Sequence, residues 1–414
     1  METTASTGHV LIIGAGQAGI QVADSLRTEG YGGAITVLNE EQTAPYQRPP
    51  LSKDYLSVQS AAEPLPLRGP EFFAQKDITV LQTAATSVDT AARRVNLANG
   101  SVVDYTHLVF ATGAATRPLS CPGAELAGVH ALRTLADAEN LQLALATAQR
   151  VVVIGAGFIG LEFAAAARSR GLHVTVLEFA PRPMGRALSQ TASDWFAKRH
   201  TEGGIELLLN EGVAAIHPDG AGLSVESTSG ARYAADLVLY GVGVLPRTAL
   251  AQAAGLAVDN GILVDSSLRT AVDGVLAVGD CAAFPNVHTG TRTRLESVQN
   301  ATDHGRHAAR TIIGDSSDYC EIPWFWSTQG AIRLQIAGIS APEDQPVVLG
   351  DPDSGKFSVV LLREGVLSAV ESVNSAADHI AARRLVGRGL RVSPEELLAE
   401  GFSLKALSKA AVSV

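Results

Sequence analysis

The amino-acid sequence predicts an α/β fold in which one strand–turn–helix unit occurs twice and a small α+β domain follows. Three observations lead to this prediction. Residues 9–19, HVLIIGAGQAG, join an apolar strand to a glycine turn, and a helical pattern comes next. Residues 151–167 repeat the same order of strand, glycine turn and helix. Beyond residue 321, two strand patterns joined by a turn precede two helical patterns.

The length and composition of the chain suit several folded domains rather than one. A chain of 414 residues exceeds what a single core usually serves. Hydrophobic residues make up 46% of the sequence, which excludes a largely disordered chain. The formal net charge of −10 argues against nonspecific binding to nucleic acid, so we expect no nucleic-acid partner.

The cysteines indicate a reducing compartment and no metal centre. Cys121, Cys281 and Cys320 form neither a CxxC nor a CxxxxC pair, and no His/Cys cluster has zinc spacing. Residues 1–9 lack the charged and apolar pattern of a secretory signal. No apolar run approaches the roughly 20 residues of a membrane helix. We therefore expect a cytoplasmic protein without a membrane partner.

The first glycine turn follows a predicted strand over residues 10–13. Its first glycine allows a tight turn, its second lets the backbone approach a pyrophosphate, and its third lets the helix pack on the strand. A second predicted strand, residues 34–38, is followed by Glu40, about 20 residues beyond the turn, where a ribose-binding carboxylate is expected. This pattern predicts a Rossmann-like dinucleotide site. Its turn residues are Gly14, Ala15, Gly16 and Gly19.

A proline-rich loop lies between the first glycine turn and the next strands. Residues 43–53 contain three prolines, which disfavour a regular helix or a central strand. We interpret this segment as a rigid loop whose Arg48 and Lys53 face a ligand. A later apolar strand, residues 108–111, ends where the backbone can approach a cofactor. The residues at that strand end are Thr112 and Gly113.

The second glycine turn follows a predicted strand over residues 151–154, and the next strand, residues 174–177, leads into Glu178. Two complete patterns with acidic strand ends predict two dinucleotides. A carboxylate at Glu178 accepts from a ribose 2′-hydroxyl and repels a 2′-phosphate, which favours NADH over NADPH. Arg182 lies close enough to Glu178 in the sequence that NADPH stays an alternative. The turn residues are Gly155, Gly157, Phe158, Ile159 and Gly160.

Three further positions near these turns carry polar groups or paired glycines. Glu162, in the first turn of the second helix, either complements the helix dipole or points into a cleft and meets Lys53. The strand at residues 275–278 leads to Asp280, which suits a polyol chain or caps the next turn. The strand at residues 237–240 leads into a close backbone approach at Gly241, Val242 and Gly243.

The last third of the sequence combines a basic helix face, an aromatic run and a tail. A helix predicted over residues 294–313 places Arg306 and Arg310 on one face. Residues 324–326, Trp-Phe-Trp, are either core or a cover for a flat ring. The predicted tail elements are strands at residues 357–362 and 366–373 and helices at residues 376–386 and 393–399.

Together these motifs resemble the oxygenase-coupled ferredoxin reductases, a group of flavoproteins, over nearly the whole chain. The most specific motifs are PYQRPPLSK at residues 45–53 and PWFWS at residues 323–327. The resemblance implies a glutathione-reductase-like architecture with FAD on the first unit and NADH on the second. It implies FAD-binding residues 1–114 and 246–320, NAD-binding residues 115–245, and a C-terminal domain over residues 321–414.

The resemblance also assigns contacts residue by residue. It places FAD against Ala18, Glu40, Arg48, Lys53, Ala85, Arg133, Asp280, Val298 and Trp326. It places NADH against Gly157, Ile159, Glu162, Glu178, Gly243 and Glu296. One departure is visible, because the family often has an aspartate after Trp-Phe-Trp-Ser, whereas Thr328 follows here. This departure bears on the flavin edge and on the choice of partner.

The resemblance implies a mechanism without a dithiol. Disulfide reductases of similar architecture carry a CxxxxC pair beside the flavin, and this sequence has none. We expect NADH to pass a hydride to flavin N5, beside an ion pair of Lys53 and Glu162 that stabilises reduced flavin. Glu296 is expected to orient the carboxamide, and Trp326 to lie at an exposed edge on the electron route.

The expected acceptor is a [2Fe–2S] ferredoxin that feeds an oxygenase. Ferredoxins are usually acidic, so we expect a basic docking face, with Arg306 and Arg310 as its first candidates. A rubredoxin reductase or an NADH oxidase of the same architecture is the alternative among enzymes. A redox-responsive binding protein resembling apoptosis-inducing factor is the alternative from another class.

Overall fold

The computed structural model describes residues 8–56 and 64–412. Residues 1–7, which belong to the segment without a secretory pattern, lie outside the described residues. The chain forms two compact units. The first lies within Met1–Gln47, Leu65–Ala115 and Val244–Glu321, and the second within Arg48–Pro64, Thr116–Gly243 and Ile322–Val414. The division into three domains stays a prediction.

The first 116 residues contain eight strands and two α-helices among their described residues. These elements are β1 (His9–Ile13), α1 (Gln17–Thr28), β2 (Ala34–Leu38), α2 (Phe72–Gln75), β3 (Thr79–Leu81), β4 (Ala85–Asp89), β5 (Arg94–Leu97), β6 (Val102–Asp104), β7 (His107–Phe110) and β8 (Ala114–Thr116). The proline-rich loop contains a short 3-10 helix, Pro49–Ser52, and a second one, Asp54–Leu56, follows the loop. The first of these helices starts with proline because proline fits the first turn of a helix.

The middle of the chain holds the second glycine turn. Its elements are β9 (Val129–His130), α3 (Leu135–Leu145), β10 (Arg150–Ile154), α4 (Phe158–Ser169), β11 (His173–Glu178), α5 (Gln190–Glu202), β12 (Glu206–Leu209), β13 (Val213–Asp219), β14 (Gly222–Ser227), β15 (Arg232–Ala235), β16 (Leu237–Tyr240) and β17 (Val244–Pro246). The order of β10, glycine turn, α4 and β11 repeats that of β1, glycine turn, α1 and β2.

The last part of the chain completes the first unit and then builds an antiparallel sheet in the second. Its elements are α6 (Ala249–Ala253), β18 (Ile262–Leu263), β19 (Val275–Ala277), β20 (Ala282–Asn286), β21 (Thr291–Thr293), α7 (Val298–Ile312), β22 (Trp324–Gln329), β23 (Ile332–Gly338), β24 (Gln345–Asp351), β25 (Lys356–Arg363), β26 (Val366–Val373), α8 (Ala376–Leu385), α9 (Pro394–Leu397) and α10 (Leu404–Val412). A 3-10 turn, Gly279–Cys281, follows β19.

A parallel five-stranded sheet forms the centre of the first unit. Its strand order is β19-β7-β1-β2-β3, and every pairing is parallel. Helices α1 and α7 pack against each other. Their approach is close because α7 carries Gly305, where a Cβ atom would lie 2.7 Å from Cβ of Gln21. The glycine turn lies at the carboxyl end of β1, which is where ligands bind in such sheets.

The second unit contains a matching parallel sheet and an antiparallel one. The parallel sheet has the order β12-β11-β10-β16-β9. The C-terminal sheet has the order β22-β23-β26-β25-β24, and its pairings are antiparallel. Strands β25 and β26 form the predicted hairpin, with Arg363 paired to Val366 across the turn. The predicted fold class, with two Rossmann-like units and an α+β tail, is therefore confirmed.

Some element bounds differ from the sequence prediction. The helix predicted over residues 294–313 begins only at Val298, because the Ser297 side chain accepts the hydrogen bond from Asn300 N–H and caps it. The helix predicted over residues 393–399 is confined to α9, and the sequence did not predict α10. In the part of the chain that the structure describes, no helix combines the length and apolar character needed to cross a membrane.

Candidate functional site

The three glycines of the first turn have three different surroundings. Gly14 has a φ of +115°, and a Cβ atom there would lie 2.3 Å from the Ala111 carbonyl oxygen. Gly19 lies against Gly14, since a Cβ atom on Gly19 would lie 1.9 Å from the Gly14 carbonyl oxygen. Around Gly16, by contrast, a Cβ atom would meet no described atom within 4 Å. The turn is therefore tight at both ends and open at the position predicted to face a pyrophosphate.

The second turn repeats this geometry. Gly155 has a φ of +102°, and a Cβ atom there would lie 2.7 Å from the Gly241 carbonyl oxygen. A Cβ atom on Gly160 would lie 2.1 Å from the Gly155 carbonyl oxygen, whereas at Gly157 the nearest atom would be 3.8 Å away. The Gly241 carbonyl thus places the predicted loop of Gly241, Val242 and Gly243 (φ +103°) beside the turn.

The helices behind both turns start without a side-chain cap. Among the described residues, no side chain accepts a hydrogen bond from the first N–H groups of α1 or α4. Helices α3, α5 and α7 are instead capped by Thr134, Ser189 and Ser297. Uncapped N–H groups together with the positive end of the helix dipole suit phosphate groups. Both turns therefore fit the pyrophosphate of a dinucleotide.

Glu40, the predicted ribose carboxylate of the first unit, is held by an arginine. Arg247 donates to both carboxylate oxygens of Glu40, with nitrogen–oxygen distances of 2.7 and 3.1 Å. These hydrogen bonds lower the pKa of Glu40. The backbone of Arg247 is itself fixed, because its N–H donates to the Gly113 carbonyl and its carbonyl accepts from the Thr112 hydroxyl. Sequence reasoning had not assigned this arginine to the site.

Glu178, the corresponding residue of the second unit, braces its own glycine turn. Its carboxylate accepts from the N–H groups of Ala156 at 2.6 Å and Ala180 at 2.8 Å. Arg182, the residue for which NADPH stayed an alternative to NADH, donates to backbone carbonyl oxygens. Its guanidinium lies 2.6 Å from the Leu188 carbonyl oxygen and 2.8 Å from that of Gly185. The cation nearest in sequence to Glu178 is therefore bound to backbone carbonyl oxygens.

The ion pair predicted between Lys53 and Glu162 is present. The Lys53 ammonium lies 2.7 Å from Oε2 of Glu162, and the two side chains are 17% and 4% exposed. The Ser52 hydroxyl donates to the same oxygen at 2.5 Å. On the other side, the Ser327 hydroxyl donates to Oε1 at 2.6 Å. The carboxylate thus receives three donors inside the second unit, and sequence reasoning had not assigned the two serines to the site.

The other residues predicted for FAD in the first unit lie near α1, α7 and β4. Gly279, which precedes Asp280, has a φ of +69°, and a Cβ atom there would lie 3.0 Å from Cβ of Ala18. The geometry therefore brings Asp280 close to the start of α1. Val298 is the first residue of α7, and Ala85 is the first residue of β4.

Glu296, predicted to orient the carboxamide, pairs with an arginine in the first unit. Its Oε1 lies 2.5 Å from the Arg294 guanidinium, and Glu296 is 45% exposed while Arg294 is 8% exposed. Arg294 also donates to the Asp280 carbonyl oxygen at 3.2 Å. One buried guanidinium therefore links the two predicted residues, and Glu296 remains accessible to a ligand.

Arg48, Arg133 and Trp326 lie in the second unit. The Arg48 guanidinium donates to the Arg133 carbonyl oxygen at 2.7 Å, so the two predicted residues are in contact. Trp326, expected at an exposed edge, is half-buried, and its ring centroid lies 5.6 Å from that of Trp324. Its place on the electron route stays a prediction.

The two arginines predicted to contact a partner differ in exposure. Arg306 is exposed and pairs with Asp303 at 3.2 Å. Arg310 is half-buried, and its Nε atom is buried without a hydrogen-bond partner among the described residues. Both lie on α7, but Arg306 alone of the two presents a freely accessible guanidinium.

The fold and the two glycine turns define an oxidoreductase that uses two dinucleotides. Residues 8–305 match the model of the pyridine nucleotide-disulphide oxidoreductase family, and residues 324–408 match the reductase C-terminal family. The chain is 46% identical over 398 residues to rhodocoxin reductase of Rhodococcus erythropolis, covering 96% of this chain and 93% of that one.

Two solved structures are similar over their whole length. The ferredoxin reductase for the CYP199A2 system from Rhodopseudomonas palustris has a TM-score of 0.94 at 44% identity, covering 97% of this chain and 99% of that one. The covalent putidaredoxin reductase–putidaredoxin complex has a TM-score of 0.93 at 35% identity, with 98% and 99% coverage. The chain belongs to the pyridine nucleotide-disulphide oxidoreductase family and, within it, to the oxygenase-coupled ferredoxin reductases. Its cofactors are FAD and NAD(H).

Proposed function

We propose that this chain is an FAD-dependent reductase that takes electrons from NADH and passes them to a [2Fe–2S] ferredoxin, which in turn feeds an oxygenase. The observation that carries the proposal is the buried Lys53–Glu162 pair beside the second glycine turn, combined with the lack of a CxxxxC cysteine pair in the sequence. The names of the similar reductases support the same acceptor.

The residues of both units suit the two cofactors. FAD, when bound, accepts a hydride from NADH and releases its electrons one at a time. In the first unit, the open turn at Gly16 and the uncapped N-terminus of α1 would hold a pyrophosphate. Glu40 would accept from a ribose, and Asp280 from a polyol chain. In the second unit, the turn around Gly157 would hold the pyrophosphate of NADH.

The ion pair with Glu162 keeps the Lys53 ammonium in a fixed position. The Lys53 ammonium is mostly buried and donates to the Glu162 carboxylate and, at 3.1 Å, to the Pro49 carbonyl oxygen. Because these acceptors hold the ammonium in place, the protein needs little structural reorganisation when negative charge develops near it. Glu162 therefore orients the lysine, and the lysine supplies the electrostatic stabilisation.

Glu178 and Arg182 support NADH as the electron donor. Glu178 keeps a carboxylate at the end of β11, where it accepts from a ribose 2′-hydroxyl and repels a 2′-phosphate. Arg182 uses its guanidinium on the carbonyl oxygens of Leu188 and Gly185. A 2′-phosphate would thus meet a negative charge, and the nearby cation would have to give up two hydrogen bonds to compensate.

The electrons leave without help from a cysteine. Cys121, Cys281 and Cys320 are all free thiols. Cys281 is buried, and burial raises the pKa of its thiol, which keeps it protonated and unreactive. The acceptor therefore docks directly, and the exposed guanidinium of Arg306 is our first candidate for contact with an acidic ferredoxin. The predicted domain bounds and cytoplasmic location belong to this proposal.

The test is stopped-flow reduction of the purified yellow protein by NADH and by NADPH, followed by mixing with a [2Fe–2S] ferredoxin, a rubredoxin or oxygen alone. Fast bleaching by NADH and fast reoxidation by ferredoxin are expected. Reoxidation by rubredoxin or only by oxygen would replace the proposed acceptor. Slow reduction of every acceptor with a long-lived charge-transfer band would indicate a binding protein. A protein that takes up no FAD would overturn the proposal.

A further inference from the structure

A buried chain of hydrogen bonds leads from Glu162 into the C-terminal sheet of the second unit. Ser327 and Gln329, both on β22, are 0% and 2% exposed. The Ser327 hydroxyl contacts Oε1 of Glu162 at 2.6 Å, and Nε2 of Gln329 lies 3.2 Å from that hydroxyl. Oε1 of Gln329 then lies 2.6 Å from Nε2 of His200 on α5. Side chains from α4, β22 and α5 therefore form one connected network.

The direction of the hydrogen bond at Ser327 follows from the chemistry of its neighbours. An ionised carboxylate only accepts, so Ser327 must donate its one proton to Glu162. The Ser327 oxygen is then left as an acceptor for the amide N–H of Gln329. A serine that donated to Gln329 instead would leave one side of a buried carboxylate without its donor, which is costly.

The side-chain amide of Gln329 is held in one orientation by its two other neighbours. Sδ of Met184 lies 3.3 Å from Nε2 of Gln329 and offers only a weak acceptor. The amide NH2 group therefore faces Ser327 and Met184, and the amide oxygen faces His200. The oxygen needs a donor, so His200 must carry a proton on Nε2. Burial lowers the pKa of His200, which keeps the imidazole neutral with this single proton.

We propose that Gln329 is a positioning residue that acts through Ser327 on the Lys53–Glu162 pair, with His200 setting the orientation of the Gln329 amide. All hydrogen bonds of the network point toward the Glu162 carboxylate, and each fixes the next. Loss of the Gln329 amide would free the Ser327 hydroxyl to rotate and the carboxylate to turn. Lys53, which the Glu162 carboxylate orients, would then lose its fixed position. The inference rests on the proposed function of this ion pair.

The alternation of β22 separates this role from that of its neighbour Thr328. Successive side chains of a strand point to opposite faces, so Ser327 and Gln329 share one face, while Trp326 and Thr328 share the other. The inward face packs on α4, as the 4.5 Å distance between the ring centroids of Phe325 and Phe158 shows. Thr328 is therefore outside the network, but it shares its face with Trp326, which the resemblance places against FAD. Gln345, an exposed glutamine on β24 of the same sheet, provides the matched control position.

The test compares Q329M with Q345M in the FAD-loaded enzyme. Methionine has nearly the length of glutamine but has no amide, and Q345M makes the same exchange at an exposed position. We expect Q329M to lower the limiting rate of flavin reduction by NADH about 10- to 100-fold, as small misplacements at a reacting centre do. The dissociation constant for NADH should change less than about twofold, and the flavin midpoint potential should become more negative. Q345M should retain the wild-type values of all three quantities.

A second readout does not depend on turnover. In protein carrying 15N-labelled histidine, the signals of His200 should show a proton on Nε2 alone at neutral pH, and Q329M should abolish this preference. H200Q, which keeps a donor near the position of Nε2, should restore most of the reduction rate that H200F loses. A wild-type reduction rate and unchanged potential in Q329M would overturn the inference, as would a His200 tautomer with the proton on Nδ1.

The experiment also covers the case in which Q329M fails to fold. S327A removes one hydroxyl and adds no volume, so it serves as the second variant, and a wild-type reduction rate in S327A would equally overturn the inference. The acceptor test stands apart from these measurements. If the wild-type protein is bleached by NADH but does not reduce a ferredoxin, the proposed function fails. The ratio of reduction rates between Q329M and wild type then still decides the role of Gln329.

Discussion

At the scale of single residues, Glu178 performs a structural and a recognition task with one carboxylate. It holds the N–H groups of Ala156 and Ala180, which fixes the second glycine turn at the point where β11 ends. Each carboxylate oxygen has a second lone pair that a ribose hydroxyl can use. The same residue therefore couples the shape of the turn to the choice of nucleotide.

Removal of the negative charge of Glu178 should change this choice of nucleotide. Glu178→Gln keeps an amide oxygen that can accept from Ala156 N–H, but it removes the negative charge. We expect the KM for NADH to rise about tenfold, as for the loss of a hydrogen bond to a charged group, and the preference for NADH over NADPH to narrow. Steady-state kinetics with both nucleotides and a saturating acceptor measure the effect.

Arg182 provides the control for that prediction. Because its guanidinium donates to the carbonyl oxygens of Leu188 and Gly185, Arg182→Ala should leave the ratio of the two KM values unchanged. A selective loss of NADPH binding in this variant would show that Arg182 reaches a 2′-phosphate. An unchanged nucleotide preference in Glu178→Gln would contradict the role of Glu178.

The roles of single residues could be predicted from the sequence where a local pattern marks them. Glycines at 14, 16 and 19 follow a local pattern, so their separate roles could be predicted from spacing alone. The donors from Ser327 to Glu162 and from Arg247 to Glu40 join residues far apart in the chain. No local pattern encodes such pairs, because the tertiary fold alone brings them together.

At the scale of elements, helix α5 is fastened to the C-terminal sheet at both ends. At its N-terminus, Glu371 on β26 accepts from the N–H and the hydroxyl of Ser189, each at 2.6 Å. Near its C-terminus, His200 contacts Gln329. Between them, the indole N–H of Trp195 donates to the Pro352 carbonyl oxygen at 2.8 Å. Polar side-chain contacts along its whole length therefore hold α5 against the C-terminal domain.

The Glu371 contact predicts a pH dependence of stability. Burial raises the pKa of Glu371 to about 7, and Asp344 also raises it, whereas the donors of Ser189 and the charge of Arg182 lower it. Between the unfolded pKa of about 4.3 and the folded value, the folded state holds a proton that the unfolded state has lost. The contribution of Glu371 to the free energy of unfolding is therefore greatest at acid pH and falls by about 3 kcal/mol as the pH rises to 7.

The variant Glu371→Gln tests this sign. Its amide can accept from one Ser189 donor and cannot ionise. The melting temperature of the variant should therefore rise relative to that of wild type as the pH increases from 5 to 7.5. Differential scanning calorimetry of the FAD-loaded protein measures the gap at each pH. Glu395→Gln, an exposed position on α9, should follow the wild-type curve. Parallel curves for wild type and Glu371→Gln would contradict the prediction.

Helix α7 predicts a second effect at this scale. In Gly305→Ala, the new methyl group would lie 2.7 Å from Cβ of Gln21 and 3.0 Å from the Ala18 carbonyl oxygen on α1. The resulting overpacking should cost about 1–3 kcal/mol, more than the roughly 1 kcal/mol that alanine gains over glycine in a helix. Thermal unfolding checks this, with exposed Arg306→Ala as the control on the same helix. A raised melting temperature in Gly305→Ala would exclude the close approach.

Element bounds could be predicted where side-chain patterns are strong. The strand predicted at residues 34–38 is found with the same bounds, because its apolar residues lie inside a parallel sheet. The helix predicted from residue 294 starts later, at the cap Ser297, because the preceding Arg294 turns inward to the Asp280 carbonyl oxygen. Helix α10 was missed because its short amphipathic pattern is defined by packing against α8.

At the scale of the whole molecule, the net charge of −10 opposes an acidic partner. Two negative proteins repel at long range, so productive association requires a local cluster of positive charge. Arg306 is exposed on α7, although Asp303 partly neutralises it. Salt screens both the local attraction and the net repulsion, so a higher ionic strength weakens binding where the attraction dominates and strengthens it where the repulsion dominates. The salt dependence of ferredoxin reduction separates these two contributions.

If a basic face dominates, raising the ionic strength from about 10 to about 200 mM should increase the KM for ferredoxin several-fold, because salt screens short-range attraction. Arg306→Glu should raise the same KM at low salt and reduce its salt dependence, while flavin reduction by NADH stays unchanged. Arg310→Glu should act more weakly on binding, since Arg310 is half-buried. Steady-state turnover with ferredoxin at several salt concentrations measures the KM of wild type and of both variants. An unchanged KM in Arg306→Glu at low salt would remove Arg306 from the docking face.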